Sequence, residues 1–238
     1  QIAWHPRRPE LILVDDEKDV VVFKSYNLEE DEITESRKNF RVEKVLDLNY
    51  GPRGNFLALS AIDNGQSDIY IFNWQTNSMR PITNDIYDDR NPRFTPDGKA
   101  LVFSSNRYND TIKKRRRGRS ALGGFNTSYD IFYYPYRKGT NELKRLTHTP
   151  LIDERMPDAY DTAYMSYLTA QNGVRNRGAT RLDSLFQGSR ITVGYEDTAK
   201  YPNDTFRFQR KDSSDLVFPR NALKDTSLRF VDTTFRYK

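Results

Sequence analysis

Paired carboxylates are the first candidates for chemistry in this sequence. They stand at Asp88-Asp89 and at Asp153-Glu154. The favoured interpretation is structural, because a carboxylate in a tight loop can accept hydrogen bonds from nearby backbone N–H groups. The alternative is a ring of carboxylates around a central channel that holds Ca²⁺, an ion that requires many oxygen ligands. No calcium-loop motif accompanies the pairs, so the sequence predicts no metal site.

A run of basic residues is the second candidate. Its members are Lys113, Lys114, Arg115, Arg116, Arg117 and Arg119. Such charge runs are usually solvated loops, and we favour that interpretation. The functional alternative is an arm that binds an acidic partner, which would be an acidic protein, lipid phosphates or a nucleic acid. Nucleic acid is the least favoured, because no aromatic residues interleave with the basic ones to form a stacking platform.

Groups for acid–base, nucleophilic or cofactor chemistry are scarce. His5 and His148 are the two histidines, and cysteine is absent. Two histidines are too few for a His-rich metal site. The sequence has no Gly-x-Ser-x-Gly nucleophile elbow and no glycine-rich loop for phosphate. We therefore expect no catalytic residue, no cofactor and no enzymatic activity in this chain.

The elements that position these groups recur along the chain. Gly54 and Gly98 occupy matching turns and are about 44 positions apart, the spacing of a propeller blade. Three further segments recur in the same order after each turn: 67–72 with 128–133, 80–83 with 144–147, and 88–92 with 153–157. A repeat of this kind indicates stacked structural units.

Each repeat predicts a small antiparallel sheet. Thr95-Pro96-Asp97-Gly98 has the residues of a tight turn, since proline presets φ and glycine accepts a positive φ. The apolar run 100–103 is too short for a helix and predicts a strand buried on both faces. Segments 91–94, 130–134 and 143–147 supply the other strands. Such a sheet is stable in water only when neighbouring units cover both of its faces.

The predicted fold is therefore all-β, a β-propeller of four-stranded antiparallel blades. We expect about three to four blades, which is an incomplete ring when rings have about four to eight. The predicted parts are a degenerate or partial blade over 1–45, a blade over 46–90, a blade over 91–155 with a basic insertion at 108–127, and a weak blade with a polar extension over 156–238. The insertion is expected on the same face as the carboxylate pairs. The chain begins within a pattern, at Gln1-Ile2-Ala3-Trp4, which predicts a processed chain or a fragment.

The repeat resembles that of TolB-like propellers. Residues 91–107 follow its Pro-Asp-Gly-Lys turn and apolar strand, and Asp130-Ile131-Phe132 and Arg145-Leu146-Thr147 follow its later elements. The turn at 51–54 departs from this pattern. The resemblance implies protein–protein contacts in a Gram-negative envelope, and the Asp-Thr pairs near the end are similar to those of Bacteroidetes envelope proteins.

The function expected from this resemblance is a non-catalytic scaffold that binds other envelope proteins, in the periplasm or at the outer membrane. The alternative is the substrate-gating propeller of a prolyl-oligopeptidase-like peptidase whose catalytic domain lies outside this chain. The net charge of +5 is mild, and no apolar run is long enough to span a membrane.

Overall fold

The structure is a computed structural model that describes residues 1–18, 20–112, 128–138 and 140–182, and the strands at 186–196, 205–210 and 227–237. It consists of two compact units, residues 1–182 and 183–238. The described residues form antiparallel sheets joined by turns, with two short 3₁₀ turns at Tyr136–Lys138 and Gln171–Gly173. No helix in this part of the chain is long and apolar enough to cross a membrane.

Three four-stranded sheets and one three-stranded sheet follow one another in the first unit, each with its strands in chain order. The first contains β1 (Ile2–Trp4), β2 (Glu10–Glu17), β3 (Val20–Asn27) and β4 (Glu32–Asn39). The second contains β5 (Lys44–Tyr50), β6 (Phe56–Asp63), β7 (Gln66–Asn73) and β8 (Ser78–Pro81). The third contains β9 (Asp89–Phe94), β10 (Leu101–Ser105), β11 (Asp130–Tyr134) and β12 (Lys144–Arg145), and the fourth contains β13 (Glu154–Ala159), β14 (Tyr164–Thr169) and β15 (Asn176–Arg181).

Two of these sheets differ in detail from the sequence-based expectation. Residues 1–45, expected to be a degenerate or partial blade, contain a full four-stranded sheet over 2–39. The strand expected over 143–147 is only Lys144–Arg145. It ends there because the Thr147 hydroxyl, in place of a backbone carbonyl, accepts the N–H of Ile131 at 2.8 Å.

The second unit is a separate three-stranded antiparallel sheet. Its strands are β16 (Phe186–Glu196), β17 (Thr205–Arg210) and β18 (Ser227–Tyr237), with β16 in the middle. The sequence-based expectation for this region was a polar extension of short strands and turns.

Glycine turns connect the first two strands of the second and third sheets. Gly54 and Gly98 have φ values of +77° and +64°, a region that disfavours side chains. At Gly54 a Cβ atom would lie only 2.1 Å from Nε2 of His5, so no other residue fits there. In the third sheet the Thr95 hydroxyl accepts the N–H of Ala100 at 3.1 Å and closes the turn.

The core lies between neighbouring sheets. Successive side chains of a strand point alternately into the core layers on the two faces of its sheet. On β7, Tyr70 and Phe72 pack toward the first sheet, whereas Ile69 and Ile71 pack toward the third. Phe72 stacks on Phe23 of the first sheet with ring centroids 4.5 Å apart. This period of two buries both faces of the second sheet, as the sequence pattern predicted.

Candidate functional site: the cavity along the inner strands

The first strands of the four sheets lie side by side. β1 is next to β5, β5 is next to β9, and β9 is next to β13. β5, β9 and β13 border an open cavity of about 320 Å³. Its lining is Leu46, Asp47, Ser60, Arg90, Asn91, Asp153, Arg155, Met156, Leu168, Thr169, Ala170 and Arg175. We call this space the inner-strand cavity.

A β-bulge interrupts each of these three strands at the cavity. The pairing register shifts after Val45 in β5, within Asn91-Pro92 in β9 and within Met156-Pro157 in β13. A bulge leaves residues unpaired and redirects their side chains, which is why bulges often occur beside functional sites. Here it directs residues of three sheets toward one space.

Two bulge residues have a backbone conformation that is unfavourable for side chains. Asn91 and Met156 occupy equivalent positions and have φ values of 53° and 50°. Asparagine tolerates this left-handed region, but for a residue such as methionine it costs on the order of 1 kcal/mol. Met156 is nevertheless half exposed. The backbone at Met156 is therefore strained, and its side chain lies at the cavity.

The charges of the lining leave an excess of positive groups. Asp47 forms an ion pair with Arg93 at 2.9 Å, and Asp153 forms one with Arg155 at 2.6 Å. Within the described residues, Arg90 and Arg175 pair with no carboxylate, and Nε of Arg90 is buried without a hydrogen-bond partner. The cavity can therefore offer hydrogen-bond donors to an anionic group.

An aromatic residue holds two of these arginines in place. The guanidinium carbon of Arg155 lies 4.1 Å from the ring centroid of Tyr129, and that of Arg90 lies 5.8 Å from it. Contacts of this kind attract the cations to the ring electrostatically. Tyr129 stands just before β11, so the third sheet orients arginines of both the third and the fourth.

The predicted carboxylates occupy two kinds of position. Asp88 accepts a long bond from the Ser67 N–H at 3.4 Å, and Asp153 accepts the Tyr129 N–H at 3.1 Å. These contacts are equivalent, because Ser67 and Tyr129 hold the same position in their sheets. Each directly precedes an aspartate in the third strand, Asp68 in β7 and Asp130 in β11. Asp89 and Glu154 are instead buried.

Asp89 belongs to a buried ionic network around Arg107, a residue that the sequence analysis did not single out. The Arg107 side chain is fully buried. It donates to Asp89 at 2.6 and 2.8 Å and to Asp85 at 3.1 Å. Asp68 lies beside them and accepts a bond from the Thr83 hydroxyl at 3.0 Å. The network connects β7 of the second sheet to β9 and β10 of the third.

Burial and like charge raise the pKa values of two members. Burial, together with the charge of Asp89, raises the pKa of Asp68 to about 7. The same two causes raise the pKa of Asp85 to about 6, although Arg107 opposes the shift. The carboxylates of Asp68, Asp85 and Asp89 are close enough to bind one cation. The guanidinium of Arg107 already supplies a positive charge beside Asp85 and Asp89. That the chain binds no metal stays a prediction.

Replacing Asp68 with Asn should change how stability depends on pH. A carboxyl group whose pKa is raised by folding contributes stability at low pH that is lost as the pH rises toward the folded-state pKa. For Asp68 this loss falls between about pH 4 and pH 7. Asparagine keeps an acceptor for Thr83 without the charge. Urea unfolding at several pH values should show the variant gaining stability relative to the native chain as pH increases, by more than about 1 kcal/mol.

The exposed Asp16→Asn change is the matched control for loss of one carboxylate. If Asp68→Asn and Asp16→Asn shift the urea midpoint in parallel at every pH, Asp68 does not titrate as the structure indicates.

The remaining predicted residues either lie outside the described part of the chain or do not line the cavity. The basic residues Lys113, Lys114, Arg115, Arg116, Arg117 and Arg119 lie outside the described residues. His148 is exposed and contacts Arg145 at 3.2 Å. His5 is buried, its Nδ1 accepts the backbone N–H groups of Arg7 and Arg8, and burial lowers its pKa.

Comparison with solved structures identifies the fold. TolB from Acinetobacter baumannii superposes with a TM-score of 0.52 at 20% identity, over 84% of this chain and 49% of that one. The putative TolB from Agrobacterium tumefaciens gives a TM-score of 0.53 at 17% identity, over 97% of this chain and 79% of that one. Hydrazine synthase from Kuenenia stuttgartiensis gives 0.50 at 15% identity, over 76% of this chain and 50% of that one.

Sequence comparisons add no closer relative. No family model matches the chain, and no curated protein matches it significantly in sequence. The chain spans about half the length of the Acinetobacter TolB. Sequential antiparallel sheets, stacked faces and adjacent first strands are what a propeller requires. The chain therefore has the fold of TolB-like β-propellers, as an incomplete ring whose described blades are the four sheets of residues 1–182.

Proposed function

We propose that this chain supplies part of a non-catalytic propeller scaffold that binds other proteins in the envelope of a Gram-negative bacterium, in the periplasm or at the outer membrane. The observation that carries the proposal is the inner-strand cavity. Three blades contribute bulged strands to it, and Arg90 and Arg175 have no carboxylate partner among the residues that the structure describes. The TolB-like fold supports the proposed setting as an analogy of architecture.

The groups around the cavity favour binding over catalysis. The hydroxyl of Ser60 donates to the backbone carbonyl of Asp89 at 2.9 Å, so it is committed to the fold. Arg155, Arg175 and the half-exposed Met156 offer charge and an adaptable apolar surface in one place. Arginine and methionine are enriched in protein interfaces.

Site-specific photo-crosslinking tests this proposal in the intact protein within its own cells. A photoreactive amino acid at position 156 reports on the cavity, and one at the exposed position 160, in the neighbouring turn, is the control. We expect discrete adducts with an envelope protein from position 156. Replacing Arg90 and Arg175 with Ala should reduce them by at least about tenfold, because the loss of even one bond to a charged group costs about 1.5 kcal/mol.

Equal adducts from positions 156 and 160 would contradict the proposal, since they would reflect random collision. A peptidase assay on the full-length protein distinguishes the gating alternative. Peptide hydrolysis whose rate changes when Arg90 and Arg175 are replaced would favour gating over a scaffold.

A further inference from the structure

A second concavity lies at the opposite end of the sheets from the carboxylate pairs. It is formed where the turns after β5 and β9 meet the segment that follows β11. Two adjacent cavities of about 290 and 370 Å³ share the walls Phe56, Tyr136 and Arg137. We call this combined concavity the turn-face groove. It is distinct from the inner-strand cavity and has no residue in common with it.

The apolar wall of the groove is held rigidly. The Tyr136 hydroxyl donates to the carbonyl of Gly98 at 3.1 Å. The rings of Phe94 and Tyr136 meet edge to face, with centroids 6.0 Å apart. Phe56 packs against the same core and remains partly exposed. An aromatic wall with fixed rotamers loses little entropy when a ligand packs against it.

Four exposed arginines surround this wall: Arg7, Arg53, Arg80 and Arg137. None of them forms an ion pair with a carboxylate in the described part of the chain. Arg137 lies over the Tyr136 ring, 5.8 Å from its centroid. Other surface arginines do find partners, as Arg8 does with Glu10 at 3.2 Å.

Asp97, the one carboxylate among the described residues that line the groove, is already engaged. Asp97 accepts the Thr95 hydroxyl at 2.6 Å and the N–H of Lys99 at 3.1 Å, and the Lys99 ammonium lies 3.7 Å away. Asp97 therefore stabilises the turn, and the four guanidinium groups have no neutralising partner within the described structure. Like charges gathered at one concavity repel one another, and an anionic ligand relieves that repulsion.

We propose that the turn-face groove binds an acidic peptide segment that carries an aromatic or aliphatic side chain. The apolar side chain packs against Phe56 and Tyr136. Flanking carboxylates pair with Arg53 and Arg137, which can each bind a carboxylate with two N–H groups. The inference does not depend on the function of the inner-strand cavity.

Fluorescence anisotropy with a labelled peptide tests the inference on the whole chain. The probe is a short peptide of Asp and Glu around one central Phe. The comparison peptides replace all carboxylates by amides, or Phe by Ser. We expect each replacement to weaken binding about tenfold. Binding of the acidic peptide should also weaken as salt increases, because exposed charges are screened.

Matched protein variants locate the site. Replacing Arg53 and Arg137 with Ala should weaken the acidic peptide about tenfold, whereas Ala at the exposed Arg177 and Lys44 should change its affinity less than about twofold. Circular dichroism verifies that both double variants fold.

Three outcomes would overturn the inference. The neutral peptide could bind as tightly as the acidic one, or the Arg53 and Arg137 variant could bind like the control. The third is binding of anionic phospholipid vesicles without binding of the peptide, which would make this face a lipid-binding surface.

Discussion

Replacing Arg107 with Met is expected to lower the free energy of unfolding by about 3–5 kcal/mol, the usual cost of leaving a buried charge without its partner. Arg107 is fully buried and pairs with Asp89 and Asp85. Methionine fills part of the space but leaves two neighbouring carboxylates uncompensated. The loss should appear as a lower urea midpoint with an unchanged slope.

Two further variants separate lost charge from lost packing. Adding Asp85→Asn and Asp89→Asn to Arg107→Met should recover part of the stability, because the two carboxylates that lose Arg107 as their partner are then replaced by neutral side chains. The exposed Arg177→Met change should stay within about 0.5 kcal/mol. If Arg107→Met is as mild as Arg177→Met, the network does not hold the two blades together.

Truncation of Phe103 to Ala is expected to cost about 3–5 kcal/mol, the range for a buried aromatic side chain. Phe103 is fully buried on β10, and its ring lies 6.2 Å from that of Phe132 in a stacked arrangement. The guanidinium carbon of Arg107 lies 5.9 Å from the same ring. The cavity left behind would therefore loosen both the apolar core and the ionic network.

Phe40→Ala is the matched control, since Phe40 is 79% exposed. Its loss should stay within about 0.5 kcal/mol. A loss of that size at Phe103 as well would contradict its place between blades. Because Phe103 and Arg107 are in contact, the effects of the two replacements should not be additive.

The repeat was readable because its signals are local. The Pro-Asp-Gly turn at 96–98 and the short apolar runs, such as the one over 100–103, act within a few residues. Those features predicted the strands and, through their two apolar faces, the stacking of sheets. Deviations over a few residues were not predicted. One example is the two-residue β12, where the Thr147 hydroxyl accepts a hydrogen bond in place of a backbone carbonyl.

The candidate site was only partly predictable. The carboxylate pairs were visible as a repeat, but the pattern did not distinguish Asp88, which binds a backbone N–H, from the buried Asp89. Arg107 stands two residues after the end of a buried strand, and that position was the one signal that could have marked it. The bulges at Asn91 and Met156 had no signal apart from the proline that follows each.

The sequence by itself determined the turns, the strands and the need for neighbouring sheets, because backbone conformation and side-chain alternation depend on adjacent residues. Only the tertiary structure decided which side chains meet. Arg107 reaches Asp85 in the segment that joins the second sheet to the third, Tyr129 orients Arg90 and Arg155, and four separate arginines surround one groove. Those encounters depend on how sheets pack and on where bulges redirect their strands, and no local pattern encodes either.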